Sequence, residues 1–458
     1  FWTDLTKLKS TRGVDVILSL DQYVQYLAES ELEKIGEKYQ PDWASIVVME
    51  PVLGDVLAIA NWPQYNPNQV EFSEPAQRKN YAICEAFEPG STMKTFTLAA
   101  ALEGGIVTPT TPIFCENGRY TVHRHTIRDD KHSFGWLTVE EVLAQSSNIG
   151  TVKIAQAMGE SRLYNMLRSL RFGMGTGVTF PGESTGLLRP VSKWSGLSIA
   201  AIPYGQEMQT TVLDMVSAYA SVANGGYYVT PRLILGYRNP QTGEIEPEKY
   251  PVPVQVMTST TAETLTRMLV KVTENGTGKR ARVAGFQVAG KTGTAQIYDP
   301  EQRTYSKKKH VASFIGFLPA EAPEVVIAVV IYYPKGAKYG NEVAGPAFSS
   351  LGTRLMQYYS IFPGDPQARQ QLAQSRFAPE NSEEMSLAGR TEETTSAQEF
   401  LVLGMTMREA YEALRRRGLE LNFQGSGVAL WQGFEQQMQQ ADSSNALQVN
   451  FYPPGRLD

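Results

Sequence analysis

Ser91 and Lys94 are spaced as a nucleophile and its base would be on a helix. They follow Glu88-Pro89-Gly90, which stops the preceding segment, and an apolar segment, residues 93–102, comes next and ends at Gly104-Gly105. Side chains three positions apart lie on one face of a helix, and a serine hydroxyl needs an adjacent base to attack well. A lysine can be that base where burial and positive charge lower its pKa. The pair predicts nucleophilic catalysis by Ser91, with an ordinary surface helix start as the alternative.

A second group of short polar residues, Ser146-Ser147-Asn148, separates two predicted helices. Thr138-Val139-Glu140-Glu141 is a capping box that opens the first helix, and residues 149–158 form the second. Ser146 could relay a proton, and Asn148 could hold a substrate amide. Serine and asparagine also favour turns for local reasons, so this motif alone favours a simple interhelical turn.

The third group, Lys291-Thr292-Gly293-Thr294, lies in a strand-like segment, residues 287–298. A glycine inside a strand often marks close approach of a ligand or another backbone. Thr292 and Thr294 alternate to one face and could bind a carboxylate. Strict alternation puts Lys291 on the opposite face of the strand. We therefore expect a twist or bend that places its charge on the same side as the two threonines. A plain edge strand is the alternative.

Residues 285–292 also fit the phosphate-loop pattern G-x-x-x-x-G-K-[ST]. That loop needs a buried strand before it and a helix after it. Here Arg280-Ala281-Arg282 precedes the pattern and a strand-like run follows, so the context disfavours a nucleotide-binding site. Tight, magnesium-dependent ATP binding would support it.

The elements around the motifs predict an α+β fold in which helices pack on the faces of one antiparallel sheet. We expect strands at 45–49 and 56–60, and a meander of strands at 287–298, 311–317 and 325–333, because the turns between them are too short for parallel crossovers. The predicted helices include 20–39, 211–223 and, beginning at Pro346, 346–359.

Composition excludes several classes of protein. The 458 residues include 42 basic and 47 acidic ones, for a net charge of −5, which disfavours a nucleic-acid partner. No apolar run is long enough to span a membrane. With only two cysteines and four histidines, the sequence predicts neither a metal nor an organic cofactor. A disulfide could join Cys84 and Cys115, but we expect that the fold does not require it. The chain begins at Phe1 without a signal-peptide pattern, so we expect a processed chain or part of a longer one.

Composition also divides the chain. We expect a remnant of an N-terminal region at 1–43, the main domain at 44–363, a polar linker at 364–399 and a small α+β module at 400–458. In this module, Thr406-Met407-Arg408-Glu409 predicts a helix start, and residues 419–423 and 447–452 predict strands.

Together the three motifs resemble the Ser-x-x-Lys, Ser-x-Asn and Lys-Thr-Gly set of penicillin-binding proteins and serine β-lactamases. Over residues 10–360 the chain resembles a class B penicillin-binding protein, a division-type peptidoglycan D,D-transpeptidase. The supporting segments are Phe87-Glu88-Pro89-Gly90-Ser91, Trp136-Leu137-Thr138, Pro181-Gly182-Glu183, Tyr204-Gly205-Gln206 and Ala223-Asn224-Gly225-Gly226. Residues 403–427 resemble a PASTA domain. Met93 stands where the family usually has Phe, and Asp214 where it usually has Gln.

The resemblance implies a catalytic set of Ser91, Lys94, Ser146, Asn148 and Lys291, with substrate held at Thr292, Gly293 and Thr294. Ser91 would attack the penultimate D-Ala carbonyl of a stem pentapeptide while Lys94 takes its proton. Backbone N–H groups of Ser91 and Thr294 would form the oxyanion hole, and both threonines would hold the terminal carboxylate. Ser146 would pass a proton to the departing D-Ala, and β-lactams would trap Ser91.

The resemblance further implies that the partners are stem peptides ending in D-Ala-D-Ala, β-lactam antibiotics, a membrane glycosyltransferase and division proteins. It places the domain at the extracytoplasmic face of the cell membrane, with the family's anchor absent from this chain. Two alternatives stay open. A serine β-lactamase would need a base for deacylation, for which Glu183 is the candidate, and a non-catalytic sensor of the same fold would not be acylated.

Overall fold

The computed structural model describes residues 13–361 except 124, 130–132, 300 and 303, residues 363–364, and the backbone at 420–425, 428–433 and 446–452. The helices in these ranges are α1 (Gln22–Tyr39), α2 (Tyr81–Cys84), α3 (Lys94–Glu103), α4 (Val139–Ala144), α5 (Asn148–Met158), α6 (Glu160–Ser169), α7 (Val212–Ala223), α8 (Ser259–Glu274) and α9 (Gly340–Tyr358). The strands are β1 (Asp15–Leu18), β2 (Trp43–Met49), β3 (Val56–Trp62), β4 (Pro112–Phe114), β5 (Arg119–Val122), β6 (His125–Arg128), β7 (Trp136–Thr138), β8 (Tyr227–Tyr228), β9 (Ile234–Arg238), β10 (Ile245–Pro247), β11 (Val254–Gln255), β12 (Ala289–Asp299), β13 (Thr304–Leu318), β14 (Val325–Tyr332), β15 (Glu420–Gly425), β16 (Val428–Gly433) and β17 (Ala446–Tyr452).

The central sheet has five strands in the order β12-β13-β14-β2-β3. Every neighbouring pair in it is antiparallel, so the predicted meander and the α+β class are confirmed. Strands β2 and β14 are buried along almost their whole length. Helices cover both of their faces, which is why their sequences are continuous apolar runs rather than alternating ones. Strand β12 lies at one edge of the sheet.

Helices pack on both faces of this sheet. On one face, Val47 of β2 and Val330 of β14 join the main hydrophobic cluster with residues of α3, α5, α7 and α8. On the other face, Phe314 of β13 meets Phe348 of α9 edge to face at 4.7 Å between ring centroids. Helix α1 lies close on β3, because a Cβ at Gly36 would stand 2.4 Å from the Trp62 ring. No helix in the described part of the chain is long and apolar enough to cross a membrane.

The predicted start of the last helix is wrong. Helix α9 begins at Gly340, and Pro346 lies inside it. The carbonyl of Tyr339 accepts the N–H groups of Glu342 and Val343 at 2.9 and 3.2 Å, so the first turn closes upstream of the proline. Pro346 is the seventh residue of α9, where a proline lacks the N–H that would bond to the carbonyl of residue 342. The helix continues through it, so the proline did not mark the boundary.

The tail contains a three-stranded sheet in the order β15-β17-β16, with β15 parallel and β16 antiparallel to β17. The predicted strands at 419–423 and 447–452 are confirmed within a residue or two. Strand β16, Val-Ala-Leu-Trp-Gln-Gly, was missed because it shows no alternation of apolar and polar residues. The predicted linker beyond residue 364 and the predicted helix after Thr406 lie outside the described residues.

Candidate active site

Ser91 lies in a 3-10 turn, Gly90–Met93, that leads directly into α3. Gly90 has φ +58°, and its N–H donates to the carbonyl of Gly205 at 3.1 Å. A Cβ at Gly90 would stand 2.9 Å from the Cβ of Ala295 on β12. A glycine is therefore needed at this position for two reasons. Its backbone is left-handed, and the serine turn packs too closely on the edge strand to leave room for a Cβ.

Lys94 is completely buried at the first position of α3. Its Nζ donates to the carbonyl of Ser146 at 2.5 Å and to Asn148 Oδ1 at 2.7 Å, and it lies 3.1 Å from Ser146 Oγ. The first two motifs, 52 residues apart in sequence, thus meet around one amine. A buried amine is costly unless its hydrogen bonds are satisfied, and here the second motif supplies the acceptors.

Ser146 occupies the turn between α4 and α5 with φ +61°. This conformation costs a residue with a Cβ about 1 kcal/mol or more, and such strain collects at functional sites. Besides Lys94, Lys291 Nζ lies 3.0 Å from Ser146 Oγ. One hydroxyl oxygen therefore bridges the two lysines of the predicted site.

Lys291 is fully buried, and its Nζ also lies 3.2 Å from the carbonyl and 3.3 Å from the hydroxyl of Thr292. Burial, with the nearby Lys94 ammonium, holds the pKa of Lys291 well below its usual range. Strand β12 keeps a regular register with β13 from Ala289 to Gln296, so no bulge interrupts it at Lys291. The predicted twist or bend stays a prediction, and the four-carbon side chain of Lys291 carries its amine to Ser146.

At Gly293, neighbouring segments of the chain pack closely against strand β12. A Cβ there would stand 2.2 Å from Ser313 Oγ and 3.1 Å from the carbonyl of Pro89, just before the serine turn. The close backbone approach predicted from a glycine in a strand is confirmed. On either side of it, Thr292 Oγ1 lies 2.8 Å from Thr277 Oγ1, and Thr294 Oγ1 accepts the N–H of Gly340 at 3.2 Å.

Asp129 is a site residue that sequence reasoning missed. Its Oδ1 accepts the backbone N–H groups of Asn148 at 2.6 Å and Ile149 at 3.2 Å, and its Oδ2 accepts the hydroxyl of Ser147 at 2.9 Å. A carboxylate at a helix N-terminus is stabilising, so Asp129 holds the start of α5 and with it Asn148. Nothing local in the sequence marks this role, because the partners lie about 20 residues away along the chain.

Seven of the eight predicted residues meet at one cleft of about 780 Å³, and Gly293 lies between two of them on β12. Ser91, Ser146, Asn148, Thr292 and Thr294 line it, while Lys94 and Lys291 lie buried beneath. The strand continues past Lys291 and Thr292 to Asp299, so no phosphate loop forms and that alternative is wrong. The described residues contain no group of three or more His, Cys, Asp or Glu side chains that could hold a metal ion. Cys84 and Cys115 are both free thiols.

A five-stranded antiparallel sheet between helical layers, with a Ser-x-x-Lys turn, a Ser-x-Asn turn and a Lys-Thr-Gly edge strand around one cleft, defines the penicillin-binding protein and serine β-lactamase fold class. Within that class, the chain matches the family described as "Penicillin binding protein transpeptidase domain" over residues 44–352. The chain therefore belongs to the penicillin-binding protein transpeptidase family.

Two curated relatives have informative names. "Penicillin-binding protein PbpB" of Mycolicibacterium smegmatis is 35% identical over 370 residues, which cover 77% of this chain and 57% of the relative. "Probable peptidoglycan D,D-transpeptidase PenA" of Neisseria gonorrhoeae is 34% identical over 356 residues, 77% of this chain and 58% of the relative. The chain thus spans somewhat more than half the length of these relatives.

Solved structures show the same fold. The crystal structure of penicillin binding protein 3 from Mycobacterium tuberculosis, complexed with aztreonam, matches with a TM-score of 0.73 and 33% identity over 78% of this chain and 81% of the other. The apo structure of the TP domain of penicillin-binding protein 3 from Burkholderia pseudomallei matches with a TM-score of 0.67 and 32% identity over 76% and 98% of the two chains.

Proposed function

We propose that this chain is a peptidoglycan D,D-transpeptidase that cross-links stem peptides through an ester on Ser91, in septal wall synthesis, and that β-lactams inhibit it covalently. The observation that carries the proposal is the convergence of Lys94 and Lys291 on Ser146 Oγ, at 3.1 and 3.0 Å, in the cleft that Ser91 lines. The name of the Neisseria relative and the aztreonam complex of the Mycobacterium structure support it.

Lys94 acts as the base for Ser91. The lowered pKa of Lys291 means that the two buried lysines do not both carry a proton easily. When a substrate carboxylate arrives beside Thr292, it attracts the remaining positive charge to Lys291, whose Nζ already lies 3.3 Å from that hydroxyl. Lys94 is then the neutral amine, three residues from Ser91, and can accept its proton.

The reaction then proceeds in two balanced halves. Ser91 Oγ gives its proton to Lys94 and attacks the penultimate D-Ala carbonyl carbon. The C–N bond to the terminal D-Ala breaks, and its amine leaves with a proton that Lys94 passes through Ser146 Oγ. In the second half an acceptor amine attacks the ester carbon and loses a proton to Lys94. The ester C–O bond breaks, and Ser91 Oγ recovers the proton.

Substrate lies along the free edge of β12. Thr292 and Thr294 line the cleft on one face of that strand and bind the terminal carboxylate, and Asn148 holds a donor amide. The N–H groups of Ser91 and Thr294 stabilise the developing oxyanion. The tight packing of Gly90 on Ala295 and of Gly293 on Pro89 supports this role, because it fixes the serine turn against the strand.

The open alternatives receive less support. Glu183, the candidate deacylation base of a β-lactamase, accepts the N–H and the hydroxyl of Thr176 at 2.6 and 2.5 Å and is not among the residues that line the cleft. A non-catalytic sensor does not need two buried lysines around one hydroxyl, which are costly to keep.

The wider setting follows the same proposal. The domain acts at the extracytoplasmic face of the cell membrane, together with a membrane glycosyltransferase and division proteins. The transpeptidase domain ends near residue 363 and is followed by a linker and a PASTA-like module at 400–458. A chain ended at residue 363 is expected to be acylated by penicillin at the full-length rate, and loss of acylation with the fold intact would contradict these boundaries.

A transpeptidation assay tests the proposed function directly. The protein is incubated with a synthetic peptide ending in D-Ala-D-Ala and with a D-amino acid as acceptor, and chromatography follows D-Ala release and the exchanged peptide. We expect both products from the wild type and neither from Ser91→Ala. Rapid, continuous hydrolysis of benzylpenicillin without exchange would instead identify a β-lactamase.

A further inference from the structure

Glu88 lies three residues before Ser91, and none of the steps above uses it. Its Oε1 accepts two hydrogen bonds, one from the phenol of Tyr305 and one from the backbone N–H of Glu207, each at 3.0 Å. Its Oε2 is buried without a hydrogen-bond partner among the described residues. One carboxyl group thus ties together the segment before the serine, the β12–β13 hairpin and the loop at residues 205–210.

The loop partner is firmly held. Phe87 and Thr210 exchange two backbone hydrogen bonds of 2.9 Å, and Gly90 donates to Gly205 as described above. Glu207 has φ +58°, and its own carboxylate accepts from Arg189. Because the loop is held along the segment that carries Ser91, the bond from Tyr305 to Glu88 joins the hairpin to a fixed support.

The hairpin partner, Tyr305, belongs to the cleft. Its ring lines the same cleft as Ser91, and it packs against Tyr298 across the hairpin, edge to face, at 5.5 Å between centroids. Tyr305 pairs with Tyr298 in the β12–β13 ladder, close to the turn that connects the two strands. The ring is held by its packing on Tyr298 and by its hydrogen bond to Glu88, so this bond helps to determine where that wall of the cleft stands.

The proton in this contact belongs to the phenol of Tyr305. Burial raises the pKa of the Glu88 carboxyl to about 7. Burial and the neighbouring Glu88 raise the pKa of Tyr305 above that of an ordinary phenol. The phenol therefore keeps its hydrogen and donates it at neutral pH, and the acceptor is Glu88.

The wall faces a definite part of the ligand. If Thr292 and Thr294 hold the terminal carboxylate and the donor peptide pairs antiparallel with the edge of β12, the residues before D-Ala-D-Ala run past Gln296 towards Tyr305. In a β-lactam that mimics D-Ala-D-Ala, the acylamino side chain corresponds to this peptide portion and would take the same direction. Gln296 and Tyr305 both line the cleft, as this path requires.

We propose that Glu88 is a positioning residue which, through Tyr305, fixes the cleft wall that meets the peptide portion preceding D-Ala-D-Ala, or the acylamino side chain of a β-lactam. This inference rests on the proposed function. It assigns side-chain recognition, rather than the chemistry at Ser91, to the contact between Glu88 and Tyr305.

The experiment compares acylation rate constants for benzylpenicillin and for 6-aminopenicillanic acid, which lacks the acyl side chain. Tyr305→Phe and Glu88→Ala should each lower the acylation rate constant for benzylpenicillin about tenfold, which is the effect expected from the loss of one hydrogen bond. They should leave 6-aminopenicillanic acid nearly unchanged, and the double variant should be no slower than either single one. Glu88→Gln keeps the acceptor oxygen and should react as the wild type does. Tyr298→Phe is the matched control, since its half-exposed ring is outside the cleft lining.

Each outcome decides a separate question. If the wild type is acylated and Tyr305→Phe reacts with benzylpenicillin as Tyr298→Phe does, this inference is wrong and the proposed function stands. Equal slowing of both ligands would also overturn it, since that reports a general disturbance of the site. Should Glu88→Ala fail to fold, Tyr305→Phe alone gives the answer. A folded wild type that no penicillin acylates would overturn the proposed function and this inference together.

Discussion

Replacing Asp129 by alanine removes the three hydrogen bonds that hold the start of α5 under the cleft. Two go to the backbone N–H groups of Asn148 and Ile149, at 2.6 and 3.2 Å, and one comes from the hydroxyl of Ser147 at 2.9 Å. A side chain that caps a helix N-terminus contributes about 1 kcal/mol, and the negative charge adds about 0.3–1 kcal/mol by its interaction with the helix dipole. Ser147 keeps its own bond to the N–H of Gly150 at 3.0 Å, so the helix start is weakened but not lost.

We therefore expect Asp129→Ala to lower the free energy of unfolding by about 1–2 kcal/mol, measured by urea denaturation. Acylation by benzylpenicillin should slow about tenfold or more, because Asn148 and Ser146 are displaced and misplacement of about 1 Å can cost a hundredfold in rate. Asp129→Asn keeps the acceptor oxygens and should lose less in both assays.

The matched control is Glu160→Ala. Glu160 lies in the first turn of α6, whose N-cap makes no side-chain hydrogen bond, so this variant loses an acidic side chain near a helix N-terminus but no cap in the site. It should stay within about 1 kcal/mol of the wild type and react at the native rate. If Asp129→Ala unfolds and reacts like Glu160→Ala, the carboxylate does not position α5 and this reasoning is refuted.

Three further changes test other parts of the site. Arginine cannot be deprotonated in a protein, so Lys94→Arg should lose acylation by about a hundredfold or more while urea denaturation shows a folded chain; a near-native rate would rule out the lysine base. Gly293→Ala puts a Cβ 2.2 Å from Ser313 Oγ and should slow acylation, with partial recovery in the double variant that adds Ser313→Gly; no recovery would point to a different clash. Burial raises the pKa of Glu88 from 4.5 to about 7, so its protonated form stabilises the fold below pH 4.5 and this stability is lost as pH rises through about 7. In urea denaturation the wild type should therefore lose stability relative to Glu88→Gln between about pH 5 and about pH 8, and a pH-independent difference would contradict the raised pKa.

The sequence predicted the parts of the molecule that local pattern encodes. The apolar runs of β2 and β14 and the capping box at Thr138 and Glu141 are short-range signals, and the structure contains each of them. Only the resemblance to a known motif set predicted that the three motifs meet at one cleft. Nothing in their spacing indicates that Lys94 and Ser146 are in contact.

Features that depend on distant contacts were not predictable in this way. Glu88 and Tyr305 are separated by 217 positions, and nothing near either residue signals their hydrogen bond. The position of the Lys291 amine was hard to predict for a related reason. Alternation describes where a side chain leaves the backbone, whereas a lysine carries its amine about 6 Å beyond that point.

The central claim is that Ser91 forms the covalent intermediate. After incubation with benzylpenicillin, mass spectrometry of the digested protein should find one penicilloyl adduct, on the peptide that contains Ser91, and none in Ser91→Ala. An adduct on a different residue, or a folded wild type that carries no adduct, would contradict the account.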